Sequence, residues 1–478
     1  MPFKDLREFI DRLEKEGEVQ RIKEEVDWNL EVGAMIRWAN EKGLPAPLFE
    51  MVKDYPEGYR IFGSPLGTQK RMAIAMDMDT NSSVREMQDE YLKRKRNPIK
   101  PVLVKDGPCK ENIHIGDKVD LLAFPVPMQH LSDGGRYIGT WHLTINKDPD
   151  SDWVNWGMFR NMLQNKNTVG IEAGPYTHFG MLHTQKYLAK NKPMEVAIAI
   201  GPEPMSTFCA STCFPYGVSE VDITGGMRGE PVELVKCETV DLEVPATSEI
   251  VIEGEVRPHD EMEEGPFAEY TGYMVTLKSP RPVIRVKAVT HRNDPILATT
   301  CMGMPVIDDN VLNMVSLAAE LQEVLTAQGL PVVGVSMFKE ICWALVVVAV
   351  KVPYANMASD IAHVLWGSRA GFCLSYIIVV EDDVDPFNMG EVMHALATKC
   401  HPYRGIVREE HARMTSYEPW ADHHERKYRV GAKTYFDCTW PLEWDPADVP
   451  IKASFANTKM YPLEVQQKAL AKWHKYGY

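Results

Sequence analysis

The chain has 478 residues, 45% hydrophobic and 25% charged, the balance of a globular protein large enough for two or three cored domains. Its net charge of −15 excludes a general nucleic-acid binder, which needs a basic footprint. The longest apolar run, Cys342 to Val350, is far short of a membrane span, and no charged-then-apolar leader opens the sequence. The expectation is a cytoplasmic protein that neither enters a membrane nor binds nucleic acid, with its nine scattered cysteines reduced.

Apolar residues Leu6, Phe9, Ile10 and Leu13 fall at helical spacing and predict an amphipathic first helix. A strand over Val19 to Ile22 and a helix over Leu30 to Asn40 follow, giving a small α/β domain over 1–110. Between 111 and 308, short β-type runs such as Val196 to Ile200, Ile250 to Gly254 and Val283 to Val289 alternate with Pro and Gly turns. That pattern predicts an antiparallel sheet or barrel. From 309 to 478 the elements lengthen and alternate: a helix over Asn310 to Ala327, strands over Val332 to Met337 and Cys342 to Val352, a helix over Asn356 to Trp366, and a strand over Ser375 to Val380. This predicts a C-terminal α/β layer domain, and the fold class overall is mixed α/β. The acids of Glu381 to Asp385 read as a solvated strand end in preference to a phosphoacceptor-type magnesium site. Cys209 and Cys213 are a close pair without the second pair that a zinc site needs.

Two segments carry the chemistry. Asn155-Trp-Gly-Met-Phe-Arg160 sets an amide beside a guanidinium, and Glu264-Gly-Pro-Phe-Ala-Glu269 sets two carboxylates about a Gly-Pro turn. His178 and Glu220 lie between them in turn-rich sequence. Asn, His and Glu suit one hard-to-borderline divalent cation, and Arg with two Glu suits holding a carboxylate and moving a proton. The competing reading is a surface ion pair for Arg160, a solvated acidic loop for the glutamates and an ordinary loop histidine at 178. Against it, Arg160 emerges from the apolar run Trp156, Met158, Phe159, and Glu269 lies among Phe267, Tyr270 and Tyr273, where a raised pKa is expected.

On these motifs the chain resembles the UbiD family of decarboxylases, which use prenylated FMN. The likeness rests on four segments in order: Asn-Trp-x-x-x-Arg at 155–160, His178 eighteen residues on, Gly217-Val-Ser-Glu220, and Glu264-Gly-Pro-Phe-x-Glu269. Lys236 to Thr239 and Val244 to Ile250 add to it. Arg21 to Trp28, Gly134 to His142 and Asp152 to Arg160 look most like the carboxylases and decarboxylases of anaerobic aromatic metabolism, especially the phenylphosphate carboxylase subunits.

The resemblance implies a split β-barrel flavin-binding domain at 111–308 and an oligomerisation and lid domain at 309–478. It implies reversible decarboxylation of an aromatic or conjugated acid through a covalent adduct with the cofactor. Arg160 would bind the carboxyl group, Glu269 would donate the proton that replaces CO2, and Glu264 would hold Arg160. Asn155, His178 and Glu220 would bind Mn2+ or Mg2+ on the cofactor phosphate, with K+ nearby. Trp156, Gly157, Met158, Phe159, Arg160, Thr177 and Arg369 would join them around the cofactor. A flavin prenyltransferase would supply that cofactor, and the assembly would be a homo-oligomer (dimer or hexamer), with further subunits possible in this branch. The chain departs from better-known relatives at Gly157, Thr177 and Tyr270, which bears on substrate identity. Tyr417 to Ala421 are expected to wall the substrate pocket, with Trp420 as a stacking face. Two other functions compete: a non-catalytic paralogous subunit, and a flavin-binding reductase, which would not need the Arg-Glu-Glu set.

Overall fold

The computed structural model describes residues 3–477. The first helix, Leu6–Lys15, starts where the Asp5 side chain accepts the Glu8 N–H at 2.9 Å, and it buries Leu6, Phe9, Ile10 and Leu13 as its spacing demands. The strand Val19–Val26 and the helix Glu31–Lys42 follow. The N-terminal sheet has four strands, in the order Val19–Val26, Ala46–Val52, Arg60–Gly63 and Ile296–Thr299. Its last strand comes from far along the chain, so this layer is not built from the first 110 residues alone.

The middle of the chain forms a nine-stranded antiparallel sheet. Its path runs Tyr137–Gly139, Asn161–Asn165, Thr168–Ile171, Ser279–His291, Ile250–Glu264, Met194–Ile200, His142–Lys147 and Val154–Gly157, with Asn112–Ile115 also pairing with Ser279–His291. Val154–Gly157 ends that path and Asn161–Asn165 is second from its start. In a flat sheet they would lie about 29 Å apart at 4.8 Å per strand. Three residues, Met158 to Arg160, join them and span at most about 14 Å. The sheet therefore curls into a half-barrel whose seam is the Asn155–Arg160 segment. Ile198, Ile200, Ile252 and Val256 pack with Leu6, Phe9 and Phe62, so the barrel and the N-terminal layer share one core.

The C-terminal sheet runs Val332–Ser336, Leu345–Val350, Tyr376–Glu381, Val430–Cys438 and Ile406–Arg413. Its central strands feed two cores in alternation. Val346, Val348, Ile377 and Val379 face the helices Asp308–Ala327 and Met357–Gly367, while Val347, Ala349, Ile378 and Val380 face the helix Met389–Thr398. Asp308–Ala327 is buried on nearly every side: Val311, Leu312 and Val315 enter the barrel core, and Leu317, Leu321 and Leu325 enter the C-terminal one. It is the spine between the two halves.

One expected strand is shorter than its apolar run. Regular pairing begins at Leu345, because Trp343 instead packs edge-on against Tyr270, 4.6 Å between ring centroids. Glu381 to Asp385 sit at a solvated strand end, where Lys399 bonds Glu381 at 2.6 Å and Asp383 at 2.8 Å. All nine cysteines are free thiols. Among the described residues, no helix is long and apolar enough to cross a membrane.

Candidate active site

A cavity of about 260 Å³ opens where the barrel seam meets the C-terminal domain. Asn155 through Arg160 line it from the seam, Thr177, His178 and Glu220 from two helix starts, and Arg369 from the C-terminal side. Every residue expected to act in catalysis or to hold the cofactor or metal lines this one cavity, except Glu264, which stands directly behind Arg160.

The helix at His178 is started by Thr177, whose hydroxyl accepts the Gly180 N–H at 3.0 Å. It runs on into a π-helical turn, Leu182–Tyr187, a distortion frequent beside functional sites. Glu220 opens the helix Glu220–Arg228, capped by Ser219. Nδ1 of His178 stands 4.0 Å from Oε1 of Glu220, a gap that two metal–ligand bonds of about 2.1 Å can span. The other Glu220 oxygen accepts the Trp156 N–H at 3.1 Å, and the Asn155 amide donates to Asn146 at 2.9 Å, which fixes how it presents its carbonyl oxygen. Nε2 of His178 is buried with no hydrogen-bond partner among the described residues.

Burial pushes the Glu220 carboxyl up to about 8 and the His178 imidazole down to about 3. Burial thus favours the uncharged form of both in the protein alone. A cation between them would ionise Glu220 and meet a neutral imidazole, which is what metal ligation requires. Among the described residues, no three His, Cys, Asp or Glu side chains gather around a metal-sized space. The donors here are one amide, one imidazole and one carboxylate, so the set fits an oxygen-seeking divalent ion that takes its remaining ligands from phosphate or water.

Arg160 is the centre of the other cluster. Its Nε and one terminal nitrogen donate to the two oxygens of Glu264 at 2.9 and 2.8 Å, a bidentate pair, and its other terminal nitrogen contacts Glu269. The Tyr137 hydroxyl donates to Glu264 at 2.8 Å and the Thr276 hydroxyl to Glu269 at 3.0 Å. Phe267 lies under the guanidinium, 5.1 Å from its ring centre. Burial pushes the Glu269 carboxyl up to about 7, against the downward pull of Arg160 and Thr276. The surface-ion-pair reading fails, because Arg160, Glu264 and Glu269 are all buried side chains.

The loop carrying both glutamates is held from behind. The Ala268 N–H donates to Asp133 at 3.1 Å, and the Gly134 N–H donates to the Pro266 carbonyl at 2.7 Å. A methyl group at Gly134 would overlap the Gly265 carbonyl. Gly134→Ala is therefore expected to displace the turn between the two carboxylates and lower kcat at least about tenfold. Circular dichroism and a crystal structure of the variant check that only this loop has moved.

Of the segment Tyr417 to Ala421, expected to wall the substrate pocket, only Tyr417 does so. Tyr417 lines the cavity and reaches Glu172 with its hydroxyl at 3.4 Å. Trp420 is turned outward, 42% exposed and away from the lining, because the chain turns back at Glu418 to Ala421. Tyr273 is likewise outside, 58% exposed, while Phe267 and Tyr270 face the cavity. Arg369 donates to the main-chain carbonyls of Tyr176 at 2.9 Å and Phe214 at 3.1 Å, which pins two lining segments together. Sequence reasoning missed Glu172, Tyr176 and Asp309 in the lining, and Asn146 and Tyr137 behind it. Tyr137 lies in the Gly134 to His142 segment already noted, so its position was marked there although its role was not.

The half-barrel seam thus carries a buried Arg-Glu-Glu cluster beside an amide-imidazole-carboxylate set. The chain matches the 3-octaprenyl-4-hydroxybenzoate carboxy-lyase domains in sequence: the N-terminal domain over residues 10–91, the Rift-related domain over 100–305 and the C-terminal domain over 311–438. It belongs to the UbiD family. It is 33% identical to the pyrrole-2-carboxylic acid decarboxylase of Pseudomonas aeruginosa, over 99% of this chain and 98% of that one. The closed form of the vanillic acid decarboxylase of Sedimentibacter hydroxybenzoicus superposes with a TM-score of 0.90 at 29% identity, covering 99% of this chain and 100% of that one. An evolved dimeric form of the UbiD-class enzyme HmfF from Pelotomaculum thermopropionicum, solved with prenylated FMN, superposes with a TM-score of 0.78 at 29% identity, covering 94% of this chain and 99% of that one.

Proposed function

We propose that this protein catalyses the reversible loss of CO2 from an aromatic or conjugated carboxylic acid with prenylated FMN as its cofactor. The observation that carries the reading is Arg160, buried and held bidentately by Glu264, with Glu269 on its remaining face. Asn155, His178 and Glu220 would hold a manganese or magnesium ion on the cofactor phosphate, with K+ close by, and Trp156 to Phe159, Thr177 and Arg369 would enclose the cofactor. When bound, the prenylated flavin supplies the electron sink that no side chain provides once the bond to CO2 breaks.

The chain's own residues do the rest. Arg160 orients the substrate carboxylate, and its planar fork suits this better than Lys would. Because Glu264 holds an N–H on two of its nitrogens, the substrate carboxylate is left the N–H groups on the side that Arg160 shares with Glu269. A protonated Glu269 yields that place and keeps a proton ready for the carbon that CO2 leaves. Closure between barrel and C-terminal domain excludes water, which strengthens the contact to Arg160.

The substrate is a flat, electron-rich aromatic acid, or the matching phenol or phenyl phosphate in the carboxylation direction. Phe267, Tyr270, Trp343 and Met302 give it aromatic and soft apolar surface. A flavin prenyltransferase supplies the cofactor. A homo-oligomer fits the apolar side chains left exposed near the C-terminus, including Leu442, Ile451, Phe455, Leu463 and Leu470. The test is mass spectrometry of the cofactor in protein co-produced with a flavin prenyltransferase, followed by CO2 exchange into para-hydroxybenzoate and other aryl acids against non-aromatic enoic acids. Exchange into the aryl acids is expected. Full activity in flavin-free protein would overturn the cofactor, and exchange confined to enoic acids would overturn the substrate.

A further inference from the structure

The spine helix Asp308–Ala327 begins with two aspartates that do different work. Asp308 is fully buried and accepts the Leu66 N–H at 2.6 Å and the Thr300 hydroxyl at 2.6 Å, so it ties the N-terminal layer to the helix start. Asp309, the next residue, lines the cavity together with Leu312 and Asn313 on the same helix face. Neither Asp309 nor Asn313 has a side-chain hydrogen-bond partner among the described residues. Leu312, Met302 and Trp343 contribute apolar surface to the same cavity.

A carboxyl group with no partner beside apolar walls is costly unless what fills the cavity satisfies it. Burial, then the neighbouring charges of Asp308 and Glu269, push Asp309 up to about 7. Asp309 lines the same cavity as Arg160 and Glu269. The helix cannot move this side chain away, because Val311, Leu312 and Val315 lock its first turns into the barrel core.

We infer that Asp309 is a specificity-determining residue that accepts a hydrogen bond from the substrate ring, so that the preferred acids carry a ring N–H or hydroxyl donor. This rests on the decarboxylase reading above and narrows its substrate class. Plain apolar aryl acids would leave Asp309 unpaired and be rejected. A site built to bond a substrate donor discriminates steeply against analogues that lack it, by up to about 10⁴–10⁵-fold in favourable cases.

The experiment uses the holoenzyme and matched acids that differ in the donor: para-hydroxybenzoate against para-toluate, and pyrrole-2-carboxylate against furan-2-carboxylate. CO2 exchange is measured for wild type, Asp309→Asn and Asp309→Leu. For at least one pair, wild type is expected to favour the donor-bearing acid by at least about 10²-fold in kcat/KM. Asp309→Leu should erase that ratio by losing activity on the donor-bearing acid alone, and Asp309→Asn, which keeps a carbonyl acceptor, should retain part of it. Cofactor absorbance and thermal melting establish that the variants are folded and loaded. Equal wild-type activity on both members of each pair, or a ratio unchanged in Asp309→Leu, would overturn the role of Asp309 and leave the decarboxylase reading standing. Exchange into no acid of either kind would overturn that reading and this inference with it.

Discussion

Glu269→Gln is expected to lower kcat by about 10²–10⁴-fold, the contribution of a positioned general acid. Gln fills the same space and can still meet Thr276, so fold and cofactor content should be unchanged. Substrate affinity should hold, because a neutral amide no longer competes with the substrate carboxylate as a second anion on Arg160. Steady-state kinetics that separate kcat from KM check this split. The pH dependence is a second signature. Glu269 is pushed up to about 7, so its proton-bearing form declines as pH rises through that value, and wild-type kcat should fall above about pH 7. The Gln variant should lose that limb. The same shift acts on stability with a definite sign: the folded protein keeps a proton that the unfolded chain has released above its ordinary 4.5, so this group's contribution declines as pH rises from there to about 7. Glu263→Gln, on the exposed neighbour, should be nearly silent. An essential Glu263 with a dispensable Glu269 would refute the assignment.

His178→Ala is expected to remove bound metal and flavin together and to abolish turnover. On the proposed reading the imidazole is the one nitrogen donor in its set and would help to hold the ion that anchors the cofactor. The ring packs edge-on against Trp153 and Tyr216, with centroids 5.1 and 5.7 Å away, so its loss leaves a small gap and a folded protein. Metal analysis and the flavin absorbance of purified protein read the outcome directly. A variant that keeps both metal and flavin at wild-type levels would remove His178 from the set.

Helices and strands with one apolar face were legible because burial writes a period into the sequence. Leu6, Phe9, Ile10 and Leu13 announce a helix, and the apolar run through Val350 announces a strand buried on both sides. The Arg160 cluster was legible through the family resemblance, whose motifs recur here in order, since residue type alone equally suits a surface ion pair. Other features depend on direction, which a sequence does not encode locally. Asp308 and Asp309 are chemically identical neighbours, and only helix phase sends one to cap the N-terminal layer and the other into the cavity. Tyr417 and Trp420 sit in one short segment, and the turn between them decides which ring faces the ligand. The seam at Met158 to Arg160 reads as an ordinary hairpin connection until strand order shows that it joins distant members of one sheet.

The parallel pairing of Arg60–Gly63 with Ile296–Thr299 also sets an order of events during synthesis. The ribosome makes the whole barrel between these two strands, and at about 5–20 residues per second that takes on the order of ten to fifty seconds. Throughout that interval the nascent N-terminal sheet carries an open edge able to pair with any other extended chain. The layer that comes first by position is thus completed only after the barrel, and its unfinished edge is where a chaperone would have most to protect until then.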